Sequence, residues 1–246
     1  MDPLTIGLVF LIGFAASFIG AISGGGGLIA IPSLIFLGLP PHIAIATSKL
    51  GGIPHSGAPL IKYWQAKKID WKVVPMMLIM AVIGSIIGTQ ILIEINKDLL
   101  MKIVGIILLI SLVFIQFKDF GLATKETSKK SKYIGYIIYF FIAIYGAFFG
   151  GGAAIFSVLV LSHFMGLSLI RSVATHKAPQ FVAFIISASI YAWAGYINYY
   201  FAVPLMIGMF SGGWTGAHTA IKKGNRFVKY LLIFVVITSA IKLLFF

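Results

Sequence analysis

The sequence predicts an all-α integral membrane protein made of two inverted-topology repeats of about five helical segments each. Three observations support this: 60% of the 246 residues are hydrophobic and 10% charged, long apolar stretches recur, and motif blocks repeat in order. A soluble domain carries about 25% charged residues because water covers its surface. The apolar stretches are helices rather than barrel strands, since residues 103–113 are apolar almost throughout instead of alternating.

Each half is predicted to contain four longer segments and one short one. A spanning helix needs about 20 apolar residues to cross a bilayer core about 30 Å thick. The first half has segments at residues 4–22, 28–37, 41–64, 73–95 and 99–117, and the second half follows the same order, with clear stretches at 133–149, 153–165, 201–221 and 227–246. The pieces at 28–37 and 153–165 are too short to span, so each is predicted to be a half-helix that is re-entrant or packed inside the protein.

Five sequence blocks of the first half recur in the second half in the same order, which indicates an internal duplication. The matched blocks are Gly20-Ala21-Ile22-Ser23 with Gly146-Ala147-Phe148-Phe149, Gly38-Leu39 with Gly166-Leu167, Ala46-Thr47-Ser48-Lys49 with Ala174-Thr175-His176-Lys177, Ile69-Asp70-Trp71 with Ile197-Asn198-Tyr199, and Gly84-x-x-x-Gly88 with Gly212-x-x-x-Gly216. We therefore assign residues 1–118 to a first repeat, 119–132 to a polar linker and 133–246 to a second repeat, all within one transport domain.

The net charge of +13 is distributed so that matching loops of the two halves differ. Basic residues of the first half lie at Lys62, Lys67, Lys68 and Lys72, whereas those of the second half lie one loop later, at Lys222, Lys223, Arg226 and Lys229. Because basic loops stay on the cytoplasmic side, matching loops are predicted to lie on opposite faces of the membrane. The expected topology is a multi-pass protein of the cytoplasmic membrane with both termini outside and the central loop cytoplasmic. The same rule explains the charge without a nucleic-acid partner.

Glycine runs interrupt the apolar segments at matching places and are candidate substrate-binding elements. They comprise Gly24, Gly25, Gly26 and Gly27 in the first half and Gly150, Gly151 and Gly152 in the second. Such breaks survive in lipid only where protein covers them or where they line a cavity, and the helix N-terminus that follows a break attracts anions. The alternative is that glycines only allow close helix packing, as the Gly-x-x-x-Gly pairs do.

Two matched lysines, Lys49 and Lys177, are the main candidate anion ligands. Each lies in an apolar segment, and all six acidic residues lie at loops or segment ends. A lysine at membrane depth costs at least about 2.5 kcal/mol and usually faces a cavity or a partner. The alternative is that each lysine snorkels to an interface or bonds backbone carbonyls at a broken helix.

Neighbouring polar side chains complete the predicted site. His176 and His55 could donate to an anion or titrate near neutral pH, although a lone helical histidine is more often structural. Hydroxyl donors are available from Thr47, Ser48 and Thr175, although Ser and Thr in membrane helices commonly bond their own backbone.

These blocks together resemble the TauE/SafE-type sulfite exporter family. The resemblance rests on the first glycine block with Ile31-Pro32, on Gly38-Leu39-Pro40 leading to Ala46-Thr47-Ser48, on Ile69-Asp70-Trp71, and on the second glycine block with Ala174-Thr175-His176. It covers essentially the whole chain. It implies permeation of small anions, often sulfur oxyanions or organosulfonates such as sulfite, thiosulfate or sulfoacetate. The second half departs from the pattern, with Val158 in place of proline and His176 in place of serine.

The predicted function is secondary transport of a small anion, and the alternatives are a passive anion channel or uniporter, an intramembrane enzyme and an assembly protein. No His-Glu-x-x-His, Gly-x-Ser-x-Gly or nucleotide-binding motif is present, so an enzyme or a primary pump is not predicted. No cofactor or metal is expected, and the chain has no cysteine to ligate one. Coupling to a proton or another ion, and the oligomeric state, are left open.

Overall fold

The computed structural model describes residues 2–96 and 127–245, with the backbone alone from residue 235 onward. Every regular element in these ranges is an α-helix, which confirms the all-α prediction. The helices are α1 (Pro3–Ser23), α2 (Gly27–Phe36), α3 (Pro41–Gln65), α4 (Val74–Glu94), α5 (Lys129–Phe148), α6 (Ala153–Met165), α7 (Leu169–Trp193) and α8 (Tyr199–Phe245).

The helix order of the first half recurs in the second half. A long helix, a glycine break, a short helix and two longer helices follow each other as α1 to α4 and again as α5 to α8. Helix α8 bends at Gly224, whose φ of 75° and ψ of −169° are not helical, between the predicted segments 201–221 and 227–246. The predicted segment 99–117 lies outside the described residues. Most of the predicted linker 119–132 also lies there, and α5 begins within its last part, at Lys129.

The short helices match their predicted positions and are not long enough to span. Helix α2 has 10 residues and α6 has 13. Helix α6 is joined to α7 by a bend of 118°, the geometry of a broken span or a re-entrant loop. Helices α1, α4 and α5 are each long and apolar enough to cross a membrane, and the bent α6–α7 pair would add a fourth span.

The two halves are interleaved rather than side by side. The most extensive helix contacts are α1 with α8, α3 with α8, α4 with α5, α3 with α7 and α4 with α7, and each joins one half to the other. Helices α1 to α4 correspond to α5 to α8 in the repeat. The contact of α1 with α8 therefore corresponds to that of α5 with α4, and the contact of α3 with α8 corresponds to that of α7 with α4. The halves therefore share their core, which fits one domain, whereas the opposed orientation of the repeats stays a prediction.

The outward faces of the helices are apolar. Large hydrophobic side chains are exposed on seven of the eight described helices, among them Leu4, Ile79, Ile137, Val203 and Trp193. A surface of this kind suits lipid rather than water. The buried polar side chains, by contrast, face the interior between α1, α3, α5 and α7.

Candidate anion site at the helix breaks

The two glycine breaks meet each other inside the protein. Helix α1 ends at Ser23, its C-cap residue Gly24 has a left-handed φ of 85°, and Gly150 after α5 has a φ of 88°. A Cβ atom on Gly27 would lie 3.0 Å from the Gly150 carbonyl oxygen, and one on Gly24 would lie 2.9 Å from the Ala154 carbonyl carbon. Because the backbones touch at these points, side chains other than hydrogen would push the breaks apart.

The remaining glycines of the two runs complete the breaks. Gly25 and Gly26 connect the end of α1 to the start of α2, and Gly26 is the N-cap residue of α2. Gly151 follows Gly150, and Gly152 is the N-cap residue of α6 with a φ of 78°. The N-termini of α2 and α6 therefore lie in the same region, and several of their first N–H groups, among them those of Leu28, Ile29, Ala153 and Ile155, donate to carbonyl oxygens of the break glycines.

Each of the two lysines contacts the opposite half of the protein, and the two contacts correspond to each other in the repeat. Lys49 on α3 donates from Nζ to the Gly146 carbonyl oxygen on α5, and Lys177 on α7 donates to the Gly20 carbonyl oxygen on α1 at 3.2 Å. Gly20 and Gly146 are themselves matched by the repeat. Both lysines are 1% exposed. Both lysines thus bond backbone carbonyls at a broken helix, as the alternative prediction states, and both are also buried.

No carboxylate accompanies these lysines in the described part of the chain. The acids described there are Asp2, Asp70 and Glu94, and their one salt bridge joins Asp70 to Arg171 at 3.5 Å. The same residue ranges contain no group of three or more His, Asp or Glu side chains that could hold a metal ion. Each buried ammonium therefore has neutral oxygen partners within these ranges.

Two small cavities adjoin the breaks. The Lys49 cavity, of about 40 Å³, is lined by Gly24, Gly26, Ser48, Lys49 and His55 together with residues of the second half. The His176 cavity, of about 50 Å³, is lined by Tyr139, Gly146, Ser157, His176 and Ser187, again with further residues. Gly150, Ala154, Gln180 and Phe184 line both cavities. A single water needs about 10–15 Å³, so each cavity suits a few waters or a small polyatomic ion.

The histidines and Ser48 lie at these cavities but are engaged with protein groups. The Nδ1 atom of His55 lies 2.9 Å from the Ser17 hydroxyl oxygen, and that of His176 lies 3.4 Å from the Tyr139 hydroxyl oxygen. The Ser48 hydroxyl donates to the Ile45 carbonyl at 2.7 Å. All three are less than 9% exposed. As ligands they stay predictions.

The structure places Thr47 and Thr175 away from both cavities. The Thr47 hydroxyl oxygen accepts a hydrogen bond from the Asn198 backbone N–H at 3.0 Å, and that of Thr175 accepts from the Asp70 backbone N–H at 2.9 Å. Asn198 and Asp70 are matched by the repeat, so these bonds form an exchanged pair like those of the lysines. Their geometry ties the loop before α8 to α3 and the loop before α4 to α7.

Replacing either threonine by valine is expected to lower stability. Thr47→Val and Thr175→Val each leave one backbone N–H without its acceptor, which costs about 1–3 kcal/mol when the group is buried. Thermal unfolding in detergent should show a lower midpoint for each variant than for Ser189→Val, since Ser189 is exposed and its hydroxyl bonds only its own helix at the Ile185 carbonyl. Unfolding midpoints equal to that control would contradict the structural role and favour threonine as a ligand.

Sequence reasoning missed Gln180 and Phe184, which line both cavities. Gln180 lies three residues after Lys177, on the same face of α7, and accepts from the Lys177 Nζ through its Oε1 at 3.1 Å. The Phe184 ring centroid lies 5.7 Å from the Lys49 Nζ. The sequence signal that could have indicated Gln180 is an amide one turn after Lys177 in a helix that is mostly apolar.

Comparison with known proteins decides the family. The family model of the sulfite exporter TauE/SafE matches residues 9–243, nearly the whole chain. The chain belongs to this family. The resemblance drawn from the repeated glycine and Ala-Thr blocks is thereby confirmed, and this TauE/SafE member is a multi-pass membrane protein of a transporter family.

Curated relatives of this TauE/SafE member are named for transport. It is 27% identical over 229 residues to a "Probable membrane transporter protein" of Haemophilus influenzae, covering 93% of this chain and 90% of that protein. It is 26% identical to the "Probable membrane transporter protein ORF9" of a Sinorhizobium species, covering 97% and 92%. It is 25% identical to the "Probable membrane transporter protein YfcA" of Escherichia coli K12, covering 100% and 91%. No solved structure matches the chain.

Proposed function

We propose that this TauE/SafE member is a secondary transporter that moves a small anion across the cytoplasmic membrane by alternating access. The substrate class is a sulfur oxyanion or an organosulfonate, such as sulfite, thiosulfate or sulfoacetate. The observation that carries the proposal is the matched pair of buried lysines, Lys49 and Lys177, each held at the opposite half's broken helix by a backbone carbonyl.

The charge at this place favours an anion. A lysine in the hydrocarbon region is costly and generally marks a substrate or ion pathway. Both lysines are buried, and the acids of the described ranges are placed elsewhere. The N-termini of α2 and α6 add partial positive charge at the same region. An oxyanion offers several acceptors for these donors, and its charge offsets that of the ammonium groups.

The exchanged contacts support a two-fold arrangement of the halves. The Lys49–Gly146 and Lys177–Gly20 bonds, and the Thr47–Asn198 and Thr175–Asp70 bonds, become each other when the halves are exchanged. Together with the opposite placement of basic loops, this pattern supports repeats 1–118 and 133–246 of inverted topology. In this arrangement the linker 119–132 is cytoplasmic and both termini lie outside.

The second candidate is a passive anion channel or uniporter for another small organic anion. The observation that favours it is the same lack of carboxylates near the lysines in the described ranges, because no Asp or Glu there could relay a coupling proton. The two mechanisms differ in the concentration dependence of flux. A carrier saturates as its site fills, whereas a channel stays nearly linear over the same range.

The test is uptake of sulfite, thiosulfate and sulfoacetate into proteoliposomes by the native chain and by Lys49→Met/Lys177→Met. The native chain is expected to transport at least one of these anions, and the double variant is expected to lose at least about 99% of that flux. Methionine keeps the apolar stem but removes both charges, and one fully desolvated ion contact accounts for a change of that size.

A matched control removes the same charge from exposed positions of the two halves. Lys72 and Lys222 are both exposed, so Lys72→Met/Lys222→Met should transport like the native chain. Equal flux in the native chain and the Lys49/Lys177 variant would remove the proposed site but keep transport. No flux of any of the three anions by the native chain would overturn the substrate class.

A further inference from the structure

We propose that Gln180 is the anion ligand contributed by the second half and that Lys177 is a positioning residue which fixes the orientation of the Gln180 amide. This inference rests on the proposed function and deepens it. It predicts that the two lysines matched by the repeat have different roles, with Lys49 at the anion and Lys177 behind Gln180.

The hydrogen bond between Lys177 and Gln180 fixes which way the amide points. An ammonium group can only donate, so the Gln180 atom 3.1 Å from Lys177 Nζ is the carbonyl oxygen Oε1. The two N–H donors of Nε2 then lie on the other side of the amide. Lys177 also donates to the Gly20 carbonyl at 3.2 Å, which holds its ammonium at α1. The amide is therefore pre-oriented to present donors rather than an acceptor.

The cavities place Gln180, and not Lys177, next to the space that an anion could occupy. Gln180 lines both the Lys49 cavity and the His176 cavity, and Lys177 lines neither. Lys49, by contrast, lines the first of these cavities directly. An anion in the Lys49 cavity can thus contact the Lys49 ammonium from the first half and the Gln180 amide from the second.

The first half has no counterpart of this arrangement. Gly52 stands three residues after Lys49, where Gln180 stands three residues after Lys177. The Phe184 ring occupies the side-chain space at Gly52, because a Cβ atom there would lie 2.6 Å from ring atoms of Phe184. The second half therefore supplies both the amide and the aromatic wall, and Lys49 reaches the cavity without an intermediate residue.

Gln180 also lies at the boundary between the two cavities. It shares that position with Gly150, Ala154 and Phe184, which line both. Gln180 and Phe184 are four residues apart on α7, so their side chains lie one above the other on one helix face. An anion that moves from one cavity to the other would pass the amide, which therefore affects both binding and selectivity.

The test compares anion transport by Gln180→Leu, Lys177→Met and the double variant in proteoliposomes. Gln180→Leu is expected to raise KM about tenfold or more, the effect of losing one hydrogen bond to a charged group. Lys177→Met is expected to raise KM as well, because the released amide can turn. The double variant should be no worse than Gln180→Leu, since Lys177 acts through the amide; effects that multiply would overturn the positioning role.

Two further variants keep the test decisive if Gln180→Leu fails to fold. Gln180→Glu has nearly the same shape and keeps the bond to Lys177, but it presents an acceptor to the anion, so we expect flux to be lost. In Lys177→Arg the guanidinium can still donate to Gln180 Oε1, so its KM should lie closer to the native value than that of Lys177→Met. Gln90→Leu is the control, since Gln90 is exposed on α4. Native-like KM in Gln180→Glu would overturn the proposal, whereas lack of flux in the native chain would instead overturn the proposed function.

Discussion

Gly150→Ala is expected to abolish anion transport. The φ of Gly150 is 88°, a region that costs an L-residue with a side chain about 1–2 kcal/mol. The added Cβ atom would also lie 2.5 Å from the Lys49 Nζ and 3.0 Å from the Gly146 carbonyl oxygen. It would therefore separate the ammonium from the carbonyl that holds it and fill space at the boundary of the two cavities. Flux in proteoliposomes at saturating and at low anion concentration measures this loss.

Gly195→Ala separates the effect of backbone strain from that of the site. Gly195 also has a left-handed φ, of 73°, but nothing lies within 4 Å of a Cβ atom built there. It follows α7 in the loop before α8. This variant should lose about 1 kcal/mol of stability and keep native flux. Transport by Gly150→Ala at the level of Gly195→Ala would contradict the assignment of Gly150 to the anion site.

The helical segments and the breaks between them could be predicted because their signals are local. The sequence predicts a short helix at residues 153–165, and the structure has α6 at Ala153–Met165. The glycine runs mark the breaks, since four consecutive glycines do not sustain a helix in an apolar segment. Helix ends shifted by a few residues, as in α5, which begins at Lys129 rather than at 133. The polar residues Lys129 to Lys132 extend the helix beyond its apolar stretch, and hydropathy alone does not detect that.

The partners of the buried polar groups could not be predicted, because they depend on how the halves pack. The repeat indicated that Lys49 and Lys177 are equivalent, but not that each reaches the opposite half's glycine break. The sequence predicts Thr47 and Thr175 as hydroxyl donors to the anion, whereas the structure shows their oxygens accepting from loop N–H groups. Gln180 was overlooked because duplication directs attention to matched residues, and its match is Gly52.

The asymmetry between matched positions is the feature that gives the site its chemistry. Tyr63 and Tyr191 are matched, buried and bonded to the matched carbonyls of Ala21 and Ala147, at 2.8 and 3.2 Å. These matched tyrosine bonds hold the breaks in place in both halves. The side chains that line the cavities differ between halves instead, as with Ser48 against His176 and Gly52 against Gln180. Duplication thus accounts for the scaffold, and divergence within it accounts for the cavities.

The close helix contacts across the halves depend on the matched Gly-x-x-x-Gly pairs. Gly84 and Gly88 on α4 face α5, where a Cβ on Gly88 would overlap the Ile144 carbonyl oxygen and lie 3.0 Å from the Ala147 Cβ. On α8, Gly212 and Gly216 face α1 in the same way, since a Cβ on Gly216 would overlap the Phe18 carbonyl oxygen. In lipid such backbone proximity replaces the hydrophobic effect as the source of association between helices.

Gly88→Val/Gly216→Val is therefore expected to prevent recovery of folded protein. Each valine would push one helix pair apart, at a cost of about 3 kcal/mol per site for overpacking against backbone. Because α1–α8 and α4–α5 each join the two halves, two of the main contacts that hold the halves together weaken at once. Size-exclusion chromatography in mild detergent should show aggregate, whereas Gly7→Val on α1, with nothing within 4 Å of its Cβ, should elute like the native chain. A monodisperse double variant with native thermal stability would mean that these glycines do not set the helix spacing.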